Sequence, residues 1–295
     1  MAPSDPNAVG HGLLQPAPLR PSEIADAQAL VAEAGWNQTA ADWQAFLDYG
    51  KVQAIRAQGR VVATAATLPY GAFGWISMVL VTAAFRRQGL AARLMRGAID
   101  DLVDAGLVPV LDATPAGREV YRKLGFADTW GFARLARPGS VPPAAAEPPT
   151  DPITVDPIRD TDWSGLCAYD TAAFGADRSR LLARLRGRLP LADLVARRGG
   201  RLVGFLLGRD GRIASQLGPL IADDAVVARA LLARTLAAIA GPIFIDLADS
   251  KTETRAWLEA RYFAAARPLT RMVHQRRAAF DDGRRTFAVV GPEFG

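Results

Sequence analysis

The segment from Trp75 to Val103 most constrains the fold, because it predicts a buried strand, a basic turn and an amphipathic helix in direct succession. Residues 75–81 are mostly apolar and rich in β-branched side chains, as in a central strand. The following helix carries one apolar stripe at helical spacing: Leu90, Ala91, Leu94, Met95, Ala98, Ile99, Leu102 and Val103. The basic turn therefore lies at the N-terminus of a helix.

This turn has the composition of an anion-binding site. The unpaired N–H groups at a helix N-terminus carry about half a positive charge, and they attract phosphate groups. Gly89 lets a phosphate approach the backbone, while Arg86 and Arg87 add hydrogen-bond donors and positive charge. For this stretch alone, an ordinary strand-turn-helix with surface arginines is the alternative.

A second strand and helix follow the first pair. Gly106 closes the first helix, and residues 107–111 have the pattern of another buried strand. Thr114 is a good N-cap, Pro115 suits the first helical position, and Gly125 lies just past the end of the predicted helix.

These elements resemble the GNAT superfamily of acyl-CoA N-acyltransferases. Residues 86–91 fit the family pattern Arg/Gln-x-x-Gly-x-Gly/Ala, and residues 121–126 supply Tyr-x-x-x-Gly-Phe at the right distance. The resemblance implies that the turn holds the pyrophosphate of acetyl-CoA and that the preceding strand binds the pantetheine arm. It also implies that Tyr121 is the general acid toward the leaving thiolate. A half-buried tyrosine with a structural hydrogen bond is the alternative for Tyr121.

The resemblance assigns the cofactor contacts to the strand, the turn and the two helix starts: Met78, Val79, Leu80, Val81, Arg86, Arg87, Gln88, Gly89, Leu90, Ala91, Ala92 and Thr114. Backbone N–H groups around 79–81 are expected to polarise the thioester carbonyl. Thr114 stands where many relatives carry an asparagine, and helix capping is its main expected role, with pantetheine contact as an addition.

The general base is not identifiable from the sequence. Many relatives carry a glutamate on the strand that corresponds to residues 75–81, and this strand has none. Asp112, at the end of the next strand, is the nearest candidate. A structural aspartate that bonds a turn and a water relay to a distant carboxylate are the alternatives.

Composition divides the chain into two domains. Residues 138–152 contain six prolines and no periodic pattern, which predicts an extended linker. Residues 1–18 are similarly rich in proline and glycine and are expected to form a flexible tail. A catalytic domain is therefore expected at 19–137 and a second domain at 153–291.

The second domain repeats the order of elements in the first. Hairpins that turn at Gly-Arg are predicted within 52–67 and 194–208, and strand 215–221, helix 225–239 and strand 242–247 follow the second hairpin. The repeat resembles tandem GNAT proteins of bacteria. It implies an α/β (α+β) protein with two GNAT-like domains, each a mixed, mostly antiparallel, splayed central sheet flanked by helices.

The second domain lacks the residues that the chemistry needs. Its turn, residues 222–225, has no glycine and carries Asp223 and Asp224, which cap a helix well but repel a pyrophosphate. Trp257, near the position of Tyr121, has no acidic O–H. We therefore expect a non-catalytic domain that shapes the acceptor site; a packing domain that touches no substrate is the alternative.

Composition argues against several other classes. The net charge is only +5, and no nucleic-acid recognition motif occurs, so no nucleic-acid partner is expected. One cysteine, Cys167, allows no internal disulfide and suits a reducing cytoplasm, and two isolated histidines do not suggest a metal site. No signal peptide or membrane span is predicted, so we expect a cytoplasmic monomer or homodimer.

The implied reaction is transfer of an acetyl or other short acyl group from coenzyme A to an amine in a ternary complex. The amine acceptor cannot be read from these residues. The alternative is a catalytically silent acyl-CoA sensor, but the intact Tyr121 favours turnover, because a protein that only binds the cofactor needs no acid at that position.

Overall fold

The computed structural model describes residues 14–143 and 152–295. Most of the predicted tail, 1–18, and half of the predicted linker, 138–152, lie outside these ranges. The first half of the chain forms the following elements: β1 Ala17–Pro18, α1 Ile24–Glu33, α2 Ala40–Tyr49, β2 Lys51–Ala57, β3 Arg60–Tyr70, β4 Phe73–Val81, α3 Leu90–Asp104, β5 Val108–Ala113, α4 Pro115–Lys123 and β6 Phe126–Arg137.

The second half repeats this order with one additional strand. Its elements are β7 Ile153–Pro157, α5 Trp163–Phe174, α6 Ser179–Leu185, β8 Leu194–Arg198, β9 Arg201–Arg209, β10 Ser215–Ala222, α7 Ala225–Ala238, β11 Ile243–Ala248, α8 Thr252–Glu259, β12 Ala264–His274 and β13 Thr286–Ala288. The predicted α/β class and the predicted repeat of elements are therefore confirmed.

The strands of both halves join in one sheet. Within the described residues it has 13 strands in the order β1-β2-β3-β4-β5-β12-β6-β11-β13-β10-β9-β8-β7. Strand β12 of the second half lies between β5 and β6 and is antiparallel to both. Strand β6 of the first half in turn pairs with β11. The two halves thus exchange their long strands, and this exchange fuses two mostly antiparallel GNAT-like sheets.

The first-half sheet splays between β4 and β5. These parallel strands pair only where Phe73, Gly74 and Trp75 face Val108, Pro109 and Val110, and they separate beyond that point. The C-terminal part of β4 consequently has no strand partner on its β5 side within the described chain. A wedge-shaped opening results, as the resemblance to the GNAT superfamily implied.

The matching wedge in the second half is filled. Strands β10 and β11 pair in parallel from Ser215 to Leu217 and then diverge. Strand β13 enters this gap and pairs with both, placing Ala288 opposite Leu220 on one side and opposite Leu247 on the other. The second half therefore keeps the splay but fills it with its own chain.

The helices pack against the faces of the sheet through the predicted apolar stripes. Helix α3 buries Leu94, Ile99 and Leu102 among other stripe residues. Gly74 makes this approach possible, because a Cβ atom there would lie 2.3 Å from Leu102 Cδ2. The assignment of Val103 to the buried stripe was wrong: its side chain is 49% exposed, because it lies in the last turn, off the face that carries Leu102.

Candidate active site

The basic turn forms an open helix N-terminus. Gly89 is the N-cap of the 15-residue helix α3, in the left-handed region with φ of +76°, and no side chain caps the helix. A Cβ atom on Gly89 would meet nothing within 4 Å, so the surface there is open. Arg93 N–H makes the first helical bond, to Gly89 O. The N–H groups of residues 90–92 are therefore available to an anion.

The two arginines of the turn differ in their surroundings. Arg87 is exposed, with φ of +63°, and its side chain has no partner within the described residues. Arg86 donates from Nε to Val81 O at 3.1 Å and pairs through Nη2 with Glu33 Oε1 at 3.2 Å. Hydrogen bonds, first from the Thr82 hydroxyl, hold the pKa of Glu33 below its usual range. Arg86 is thus fixed at the end of β4, while Arg87 is free to reach a ligand.

A β-bulge reshapes β4 beside the wedge. Thr64 pairs with Leu80 and Ala66 pairs with Ser77, so two residues of β4, Met78 and Val79, face one residue of β3. Met78 has φ of +52°, and its carbonyl accepts a hydrogen bond of 2.9 Å from Thr64 Oγ1. Bulges of this kind re-aim backbone groups. The bulge overlaps the start of the stretch around 79–81, where the resemblance implies N–H donors for a thioester carbonyl.

A cavity of about 170 Å³ opens at the wedge. It brings together five of the predicted site residues: Met78, Val79, Asp112, Thr114 and Tyr121. The other predicted residues, Leu80, Val81 and 86–92, lie outside its walls, further along the path from β4 to α3. The chain therefore runs from the cavity wall at Met78 and Val79 directly to the basic turn at the start of α3.

Tyr121 presents a phenol to this cavity. The ring packs against Phe126 at a centroid distance of 6.2 Å, and Gly117 makes room for it, because a Cβ atom there would lie 2.9 Å from Tyr121 Cε2. Its hydroxyl has no hydrogen-bond partner among the residues that the structure describes. Burial raises the pKa of Tyr121 above its ordinary value, so the phenol holds its proton at neutral pH.

Thr114 both caps helix α4 and lines the cavity. Its side chain caps α4 by accepting a hydrogen bond from the Gly117 N–H at 3.3 Å, as the sequence predicted. The residue also lines the cavity. The cap therefore holds the start of α4, and with it Tyr121, against the open wedge.

Asp112 is buried and fully engaged. Arg271 on β12 binds both of its carboxylate oxygens, with distances of 3.0 Å from Nε and 3.1 Å from Nη2. Arg271 also pairs with Asp281 at 3.0 Å. Burial raises the pKa of Asp112 to about 6 against the opposing effect of Arg271. Although Asp112 lines the cavity, neither oxygen is free for an amine, so its role as a base stays a prediction that this geometry does not favour.

Four polar residues of the cavity wall were not singled out from the sequence. They are Gln38, Ser77, Arg267 and Glu293. Each has a buried side-chain atom without a hydrogen-bond partner in the described structure. Arg267 and Glu293 belong to the second half of the chain and arrive through β12 and the segment after β13. No local pattern marks them, because their position depends on strand pairing across the whole chain.

The corresponding turn of the second half is closed by carboxylates. Asp224 caps α7 by accepting from Val227 N–H at 3.0 Å and also pairs with Arg198 at 3.0 Å. Asp223 accepts from the Tyr169 hydroxyl at 2.7 Å. The N–H groups at this helix N-terminus, which are open in the first half, are here shielded by negative charge.

Across 14–143 and 152–295, no group of three or more histidine, cysteine or acidic side chains is arranged to hold a metal ion. In the same ranges, no helix combines the length and the apolar character that a membrane crossing requires.

Known proteins match this chain in both halves. The model of the acetyltransferase (GNAT) family matches residues 21–126, and that of an acetyltransferase (GNAT) domain matches residues 166–288. The uncharacterized N-acetyltransferase YitH of Bacillus subtilis is 27% identical over 237 residues, covering 80% of this chain and 82% of the relative.

Solved structures share the whole architecture. A Pyrococcus horikoshii protein superimposes with a TM-score of 0.76 at 18% identity over 95% of both chains. A tandem GNAT protein from the clavulanic acid biosynthesis pathway gives a TM-score of 0.61 at 13% identity, over 88% of this chain and 97% of its own. The chain therefore belongs to the GNAT superfamily and carries two GNAT domains in tandem, which confirms the family expected from its motifs.

Proposed function

We propose that the protein transfers an acetyl or other short acyl group from coenzyme A to an amine, and that the first-half wedge is its active site. One observation carries this proposal: a single cavity joins the bulge of β4 to the phenol of Tyr121. A protein that only binds acyl-CoA needs the wedge and the turn, but it has no use for an unpaired phenol beside them.

The cofactor path follows from the elements on either side of the cavity. The open N-terminus of α3 and Arg87 would hold the pyrophosphate, and the unpaired edge of β4 would bind the pantetheine amides. The thioester carbonyl would then reach the bulge at Met78 and Val79, where backbone N–H groups stabilise negative charge on its oxygen.

The chemistry needs two proton movements. A neutral amine attacks the thioester carbon, a C–N bond forms and the C–S bond breaks. The nitrogen loses one proton to a base, and Tyr121 gives its proton to the departing sulfur, so that an amide and free coenzyme A result. The base then returns a proton to Tyr121 through solvent. Holding both substrates in one cavity supplies much of the rate.

Two measurements on the full chain test the proposed function. Release of free thiol from acetyl-CoA is followed with a panel of amines, and thermal stability is measured with and without coenzyme A. We expect stabilisation by the cofactor together with thiol release that depends on an amine. Stabilisation without thiol release on any amine would instead indicate a sensor.

Replacing Arg86 and Arg87 by alanine should weaken coenzyme A binding while leaving the fold intact. Each charge-assisted contact is worth on the order of 1–3 kcal/mol, and exposure favours the low end, so we expect roughly a 30-fold loss of affinity for the double variant. Arg87→Ala should account for more of it, because Glu33 engages Arg86.

Arg96→Ala provides the matched control, since Arg96 is an exposed arginine further along the same helix. Calorimetry should show the same relative loss with coenzyme A and dephospho-coenzyme A, because both contain the pyrophosphate. Unchanged affinity in the double variant would show that these arginines do not bind the pyrophosphate.

A further inference from the structure

Four buried polar atoms that lack a hydrogen-bond partner belong to residues of the cavity wall. Gln38 Oε1, Ser77 Oγ, Glu293 Oε2 and Arg267 Nε are all buried and have no hydrogen-bond partner in the part of the chain that the structure describes. All four residues line the same cavity. Buried polar atoms normally have a hydrogen-bond partner, because leaving one without a partner forfeits the hydrogen bonds it would make to water. Their grouping here indicates that a polar ligand completes them.

One cation of the cavity wall, Arg267, makes no direct ion pair within the described residues. Arg267 forms no ion pair with any described residue, and the nearby cation Arg134 is itself paired with Asp246 at 2.7 Å. Glu293 directs Oε1 to Arg209, which also binds the buried Asp42 at 2.9 Å. Arg267 is therefore the cation on this wall that has no direct ion pair within the described residues, and the carboxylates of Asp246 and Glu293 act on it only from a greater distance.

The remaining acceptor atoms suit an amine. Glu293 is 3% exposed, and its second oxygen, Oε2, is free of protein partners within the described residues. Gln38 Oε1 is a second free acceptor on the same wall. A primary amine has the N–H donors to satisfy both oxygens. Asp112, the other carboxylate of the wall, gives both oxygens to Arg271 and is not available.

We propose that the acyl acceptor is a small primary amine that carries a carboxylate, such as an α-amino acid with an apolar side chain. This inference rests on the proposed function. Arg267 binds the carboxylate, and Glu293 with Gln38 receives the amine. One free guanidinium matches one monovalent anion, whereas a phosphate dianion would call for further donors.

The rest of the wall limits the size and polarity of this acceptor. Trp36, Leu269 and Pro292 supply apolar surface, and the cavity measures about 170 Å³. Such a space suits a free amino acid better than a sugar, whose many hydroxyl groups would lack partners against these side chains.

The proposed acceptor also completes the proton path. Glu293 Oε2 takes the proton that the amine nitrogen loses as the C–N bond forms. Tyr121 supplies the proton that the sulfur gains as the C–S bond breaks. The atoms and charges balance when solvent carries the proton from Glu293 back to Tyr121.

Matched acceptors test the inference. Thiol release from acetyl-CoA is measured with leucine, with leucinamide and with isopentylamine, which have similar apolar groups but differ in the carboxylate. We expect kcat/KM to be about 10–100-fold higher for leucine, as a charge-assisted bidentate contact implies. At neutral pH a larger fraction of leucinamide than of leucine has a neutral, reactive amine. This difference favours leucinamide, so it cannot produce the expected preference for leucine.

The Arg267→Gln variant tests whether Arg267 is the residue that binds the carboxylate of the acceptor. It should lower kcat/KM for leucine about 10-fold or more, mainly through KM, and leave the leucinamide rate nearly unchanged. Equal losses on both acceptors, or a parent enzyme that prefers isopentylamine, would overturn the inference while the acyltransferase function stands.

Binding to the protein saturated with coenzyme A gives a readout independent of turnover. If no amine releases thiol, the proposed function fails, yet leucine binding that Arg267→Gln abolishes would still support the carboxylate site. Absence of leucine binding in calorimetry, at concentrations up to those used in the kinetic assay, would overturn it.

Discussion

The Tyr121→Phe variant should bind coenzyme A as tightly as the parent and lose about 100-fold in turnover. The phenylalanine ring keeps the packing against Phe126 and the space over Gly117, so only the proton donor is removed. General acid catalysis is typically worth ~10²–10⁴-fold, and thiolate is a good leaving group, which places the effect at the low end. The loss should appear in kcat rather than KM, because the donor acts as the sulfur becomes charged.

Tyr262→Phe is the matched control, because Tyr262 is 70% exposed and lies outside the cavity. Its turnover should equal that of the parent.

The parent protein should keep its activity when the pH is raised to about 10, because burial raises the pKa of Tyr121 above the ordinary value of 10.0 and the phenol therefore stays protonated. Full activity in Tyr121→Phe would exclude this residue from the mechanism.

Loss of Arg271 should be the most damaging single change for stability. This buried guanidinium binds Asp112 and Asp281 and lies 4.5 Å from the ring centroids of both Trp75 and Trp130. Arg271→Leu leaves two buried carboxylates without their cation, although Trp130 Nε1–H still donates to Asp281, and breaking such a buried pair costs about 3–5 kcal/mol. Thermal unfolding should therefore occur roughly 5–15 °C lower.

The destabilisation should depend on pH in a defined direction. Without Arg271, burial raises the folded-state pKa of Asp112 further above its unfolded value, so the folded variant binds protons that the unfolded chain does not. Its stability therefore falls as the pH rises through that range, and the deficit should be smaller at pH 5 than at pH 8. Arg284→Leu, which removes a cation that is 93% exposed, is the control and should change stability little. A deficit that is equal at both pH values would contradict this account of the ion pair.

The local elements were predictable because their signals are local. The apolar stripe after Gly89, the Thr114 cap and the carboxylates of 223–224 each depend on residues within one turn of a helix. These signals were sufficient to predict the order of elements, the open turn of the first half and the closed turn of the second.

The joining of the two halves was not predictable in the same way. Arg271 faces Asp112 across strands that lie 159 residues apart in sequence, and β13 enters the second wedge from the end of the chain. Periodicity tells which residues are buried, but it does not tell which strand lies beside which. For the same reason the sequence did not reveal Arg267, which reaches the first-half cavity on the exchanged strand β12, or Glu293, which reaches it on the segment after β13.

Calorimetric titration of the full chain with coenzyme A tests most directly whether the first-half wedge is the one acyl-CoA site. The open turn at Gly89 contrasts with the carboxylate-capped turn at Asp224 and with the wedge that β13 fills. We therefore expect one equivalent per chain, with affinity that falls in the Arg86/Arg87 double variant and stays unchanged in Asp224→Ala. Two equivalents per chain, or one equivalent that responds to Asp224 and not to the arginines, would contradict the account.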